Sequence, residues 1–124
     1  MTTLYVILGA TVGAPSRFLL DQYLRRFLRY PLGITVVNVL GSFVIGLTVA
    51  HHGSVALYVK AGSVTNLQAL VAIGFAGAFT TWSTFILDLY LAFELKQYKG
   101  AAINLVLSLT LGLTAAWIGL QLVQ

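Results

Sequence analysis

Four long apolar runs, separated by short segments that hold most of the charges, constrain this chain more than any other feature. They extend from Leu4 to about Leu24, Pro31 to His51, Leu67 to Phe93 and Ala101 to Val123. A helix rises about 1.5 Å per residue, so about 20 residues cross a hydrocarbon core of about 30 Å, and each run is long enough. Only 8% of the residues are charged, too few to solvate the surface of a water-soluble domain. The runs are continuous rather than alternating, which excludes a transmembrane β-barrel. The expected fold is an all-α membrane protein, a single domain over residues 1–124 with four transmembrane helices. No basic segment precedes the first run and it continues past signal-peptide length, so it is expected to remain as a helix. The chain has no cysteine, which removes disulfides, thiolate nucleophiles and thiol metal sites.

The basic residues fall in the connections. Arg25, Arg26 and Arg29 lie between the first two runs, Lys60 between the second and third, and Lys96 and Lys99 between the third and fourth. The side holding the first and third connections is the more basic, more so with Arg17, and the positive-inside rule places both termini on the opposite, outer side. Juxtamembrane cations account for the net charge of +4, so no nucleic-acid partner is expected.

Small residues repeat at helical spacing: Gly9 and Gly13, then Ser42 and Gly46, then Ser108, Gly112, Ala115 and Gly119. Such faces let helix backbones approach closely in lipid. Any one of them fits packing within a bundle; three on four short helices favour a dimer.

Polar groups at membrane depth are costly and point to function by default. Arg17 and Asp21, spaced i, i+4, read as an ion pair near a helix end, or as a snorkelling arginine. Asp88 reads as reaching the interface or bonding to Ser83 or Thr84. His51 and His52 read as a solvated helix end. Asn38 is different, because Thr35 and Ser42 share its face and make a polar stripe on an apolar helix. Asn104 and Ser108 make a second stripe on the fourth helix. Interhelical hydrogen bonds would satisfy both stripes, and so would a permeation pathway. No serine triad, HExxH, phosphate loop or acid/base carboxylate pair is present, so the chain is not expected to be an enzyme. A passive pore, a coupled transporter and a structural membrane subunit remain.

The third run is the longest and carries GFAGAFTTWSTF, Gly74 to Phe85, at its centre. Two glycines and four hydroxyls there predict a helix broken at its midpoint. Such a break is tolerated where protein or water surrounds it, and the carbonyls it frees can coordinate a cation. Gly77 and Thr80 are placed to do so, while Trp82 and Phe85 present positive ring edges that suit an anion.

GFAGAFTTWSTF resembles the third-helix signature of the Fluc (CrcB) family of fluoride channels. GATVGAPSRF, Gly9 to Phe18, and VNVLGSFVIG, Val37 to Gly46, are similar to that family's first- and second-helix motifs. The resemblance implies an antiparallel dual-topology dimer in the cell membrane, with two fluoride pores and a structural, non-transported Na⁺ at its centre. It implies that Gly77 and Thr80 supply carbonyls to the Na⁺ and that Asn38, Trp82, Phe85, Ser83, Thr84 and Ser108 form the pore. Asp88, Asn104 and Ser42 would extend a second tier of polar groups. It further implies passive export of F⁻ that has entered the cell as HF, which reduces fluoride toxicity.

Trp82 stands where the family commonly has Phe, and Asp88 where it commonly has Glu. Ala10 and Phe18 replace a Gly and a Tyr of the first-helix motif. Dual insertion calls for balanced charge, and this chain is asymmetric, so either a homodimer or a pairing with an opposite-topology homologue is implied. The alternative function is a small dual-topology multidrug transporter, which would need a membrane carboxylate; the only acidic residue of the first helix is Asp21, near its end.

Overall fold

The computed structural model describes residues 2–28, 32–52 and 64–123. Arg29, Pro31, Lys60 and the side chains of His51 and His52 lie outside the described residues. Among the described residues the protein is all-helical, and four helical spans are long and apolar enough to cross a membrane. Helix α1 is Thr2–Phe27 and α2 is Gly33–His52. The third span contains α3, residues 66–79, and α4, Ser83–Glu94. Helix α5 is Tyr98–Gln121.

Helix α3 begins at a capping box. The Thr65 hydroxyl accepts from the Gln68 amide (3.2 Å) and Gln68 Oε1 accepts from the Thr65 amide (3.0 Å), which satisfies donors that a helix N-terminus leaves open. From Ala69 to Ala76 the helix is wound as a π-helix, and Gly77–Phe79 returns to α geometry. Thr80 is extended (φ −83°, ψ 152°), and helical structure resumes at Ser83.

The helices pair as α1 with α3 and α2 with α5. Lipid supplies no hydrophobic drive for such pairing, so close van der Waals approach of backbones must do the work. A Cβ at Gly9 would strike Leu70 O and Phe75 N, and one at Gly13 would strike Phe75 O. On α3, a Cβ at Gly74 would lie 2.6 Å from Val6 O. The second pair is built alike: a Cβ at Gly46 would strike Ala116 O, and one at Gly119 would lie 2.6 Å from Phe43 O.

These contacts correct the use made of the small-residue faces in the sequence. Gly9, Gly13, Gly46 and Gly119 are filled by a neighbouring helix of the same chain, so they give no argument for a dimer. They do give a stability prediction. Gly74→Ala forces a methyl against the α1 backbone and should cost about 1–3 kcal/mol. Gly112→Ala should be nearly neutral, since its nearest contact would be Ser42 Oγ at 3.7 Å. Thermal unfolding of the two variants in detergent checks the contrast.

Candidate functional site

The interruption between α3 and α4 is held by a side chain from α2. Asn38 Nδ2 donates to Thr81 O (3.0 Å) and the Thr81 amide donates to Asn38 Oδ1 (2.9 Å), so one carboxamide closes on one peptide group. In an uninterrupted helix that amide would bond Gly77 O. Thr80 N still reaches Ala76 O at 3.0 Å, which makes it the last amide of α3 to bond in helical register. The Thr84 amide, which a continuous helix would direct to Thr80 O, lies 3.5 Å from Thr81 Oγ1. Gly41 on α2 makes room for this arrangement, because a Cβ there would strike the Thr80 methyl.

Beside the interruption lies an open cleft of about 480 Å³. Asn38, Ser42 and Ile45 line it from α2, Gly77 and residues 80–82 from the third span, Phe85 from α4, and Ser108 and Leu109 from α5. Gly77, Thr80, Asn38, Ser42, Trp82, Phe85 and Ser108, singled out in the sequence, are therefore brought together. Phe85 is 2% exposed and Trp82 67%, with ring centroids 5.5 Å apart at 50°. Ser83 and Thr84 are not among the lining residues; their hydroxyls lie 3.2 and 3.4 Å from Thr81 Oγ1. Ser108 leads away from the cleft into a buried network. Thr35 Oγ1 donates to Asn104 Oδ1, and the single Ser108 hydroxyl hydrogen is shared between Thr35 Oγ1 at 2.9 Å and Asn104 Oδ1 at 3.4 Å. The two polar stripes of α2 and α5 thus satisfy each other at that end.

Every described residue lining the cleft is neutral. Asn38 Nδ2 carries a second hydrogen that finds no acceptor among the described residues. Hydroxyls, that N–H and the ring edges can replace part of an anion's hydration shell without the deep trap that a buried cation would create.

The charged residues meet elsewhere, and two sequence expectations are corrected there. Asp21 pairs with Arg25 (Nε to Oδ2, 2.8 Å), one turn further along α1, and not with Arg17. Asp88 bonds neither Ser83 nor Thr84: its two carboxylate oxygens each lie 3.3 Å from Arg25 Nη2. Arg25, read from the sequence as part of a connection, is in the last turn of α1. Its i, i+4 spacing from Asp21 was the available signal. Thr81 was also missed as a site residue, although its peptide is the group that Asn38 holds.

The family pattern described as "CrcB-like protein, Camphor Resistance (CrcB)" matches residues 4–120. A protein of Vibrio vulnificus (strain YJ016) named "Fluoride-specific ion channel FluC" is 36% identical over 122 residues, 97% of this chain and 93% of the relative. One with the same name from Campylobacter jejuni is 37% identical over 120 residues, 95% of this chain and 93% of the relative. Another, from Coxiella burnetii, is 31% identical over 121 residues, 96% of this chain and 94% of the relative. A match that runs from the first helix through the fourth, with residues of the second- and third-helix motifs gathered at one cleft, leads to one conclusion: the chain is a multi-pass membrane protein that belongs to the CrcB family.

Proposed function

We propose that this protein is a fluoride-selective passive channel of the cell membrane, working as an antiparallel dimer and letting F⁻ leave the cytoplasm down its electrochemical gradient. The observation that carries the reading is a cleft lined without charge by the Asn38 amide and Ser42 hydroxyl of α2, the Ser108 hydroxyl of α5 and the buried Phe85 ring of α4. The relatives' name supplies the ion. Asn38, Ser42, Ser108 and the rings of Trp82 and Phe85 are assigned to the pore itself. Ser83 and Thr84 continue it through Thr81, and Asn104 supports Ser108 from behind. The multidrug reading is not retained, because Asp21 and Asp88 share Arg25 and neither stands as a free membrane carboxylate.

A single chain leaves the cleft open, with Trp82 exposed at its edge, and a second copy in the opposite orientation would wall it. The charge asymmetry of the connections leaves a homologous chain of opposite topology as the other occupant of that place. The broken third span supplies a candidate Na⁺ site. Asn38 diverts the Thr81 amide from Gly77 O, and Thr81 Oγ1 takes up the Thr84 amide in place of Thr80 O, so two hard oxygen donors lack their helical partners. Gly77 also has room around it: a Cβ there would meet only Ala72 O, at 3.8 Å. Its bareness therefore serves an approach from outside the chain. A bound Na⁺ would contribute positive charge and cross-link two chains; Gly77 and Thr80 would hold it by main-chain oxygens alone.

The test of function is efflux from liposomes. Fluoride should leave and chloride should stay; equal chloride efflux, or none of either, overturns the reading. The Na⁺ assignment is tested separately. Thr80→Ser should be mild, because only the carbonyl is used, whereas Gly77→Val should disperse the dimer on size exclusion. Exchange of Na⁺ for a bulky organic cation should slow flux and loosen the dimer, and an unchanged dimer and flux in that medium would remove the ion.

A further inference from the structure

Helix α4 does not inherit its rotation from α3, because Thr80 to Trp82 interrupt the hydrogen-bond ladder between them. Trp82, at the capping position before its first residue Ser83, provides no side-chain cap. Hydrophobic packing does not fix its rotation either. The buried residues of α4 are Phe85 and Asp88, whereas Ile86, Leu87, Tyr90 and Leu91 are exposed. In lipid, apolar side chains gain little from facing inward. Phe85 and Asp88 are three apart, so they share a face and must turn together.

We propose that Arg25 sets the rotation of α4 by clamping Asp88, and so keeps the Phe85 ring against the cleft. The guanidinium is itself held: Asp21, one turn back on α1, fixes Nε at 2.8 Å, and the Nη2 edge then faces both oxygens of Asp88 at 3.3 Å. A planar fork with donors on two edges bridges two carboxylates in a fixed relative orientation, which the rotatable ammonium of a lysine does not impose. Asp88 is 6% exposed and its position depends on the clamp; the Arg25 side chain is 40% exposed. Asp88 does not line the cleft, so it acts on the pore through Phe85 and is a positioning residue. The inference rests on the channel reading for its flux readout alone.

The sequence contains two tryptophans, Trp82 and Trp117, and Trp117 is exposed on α5. A Trp117→Phe background therefore leaves Trp82, on the approach to α4, as the sole indole reporter. In that background Arg25→Gln, Asp88→Asn and the double variant are compared by fluoride flux per assembled dimer and by Trp82 emission in detergent. Each single change should lower flux at least about tenfold, because Arg25→Gln leaves two carboxylates without their cation and Asp88→Asn removes the charge by which α4 is held to Arg25, which keeps only Asp21. The double variant should be no worse than the singles, and emission should shift the same way in all three. Multiplying losses, or a loss in Asp88→Asn with unmoved emission and a normal Arg25→Gln, would mean that Asp88 meets the ion itself, and overturn the proposal. If the neutral variants do not assemble, Asp88→Glu and Arg25→Lys decide. Glu should keep flux and emission while Lys loses both, and the reverse overturns the clamp. A wild type without fluoride flux would overturn the channel reading, and the emission shifts would still decide the clamp.

Discussion

Phe85→Ile should abolish fluoride flux and leave the protein folded and assembled. Phe85 is the one large apolar side chain that α4 buries, and it does so on the cleft wall, 5.5 Å from the Trp82 ring. Isoleucine keeps the apolar character and most of the bulk, so the packing of α4 against its neighbours changes little. It has no quadrupole, and the electropositive ring edge is lost. If that edge replaces part of the fluoride hydration shell, no cation among the described lining residues can take its place. A packing role predicts the opposite: flux would follow the amount of assembled protein. Flux per assembled dimer in liposomes, beside a size-exclusion profile, separates the two, and near-wild-type flux removes the ring edge from the mechanism.

The four spans were legible because a bilayer imposes a length and a composition on any helix that crosses it, and the charges mark the ends. The cleft residues were partly legible for a related reason. Asn38, Ser42 and Ser108 stood out as polar groups that lipid cannot solvate, and GFAGAFTTWSTF stood out as polar and glycine-rich at the middle of an apolar span. Partnerships were much less legible. Asp21 has basic residues four positions away on both sides, Arg17 and Arg25, and one-dimensional spacing does not choose between them. The choice is made by α4, which brings Asp88 to the Arg25 side. The glycines misled for a similar reason: GxxxG states that a backbone will come close without stating whose, and here it belongs to the same chain. The π-helical winding of Ala69–Ala76 has no signature in an apolar run of this kind; it coincides with the stretch whose backbone packs against Gly9 and Gly13.

Asn38→Ala should cost both stability and flux, and this double loss distinguishes it from Phe85→Ile. The carboxamide closes on both polar groups of one peptide, so its removal leaves a donor and an acceptor of Thr81 without protein partners at membrane depth. Each such group left unsatisfied costs about 1–3 kcal/mol, together about 2–6 kcal/mol, less whatever water in the cleft recovers. That is a large fraction of the total stability of about 5–15 kcal/mol typical of a folded domain. Asn38→Asp separates the two bonds: its carboxylate still accepts from the Thr81 amide but cannot donate to Thr81 O, so its stability should fall between wild type and Ala. Its flux should be as low as that of Ala, because the free N–H is gone and the new negative charge repels an anion. Thermal unfolding in detergent and flux per assembled dimer measure the two effects independently. If Asn38→Ala unfolds at the wild-type temperature, the α3–α4 interruption is held by something other than this side chain; if it also conducts normally, Asn38 is neither clasp nor donor.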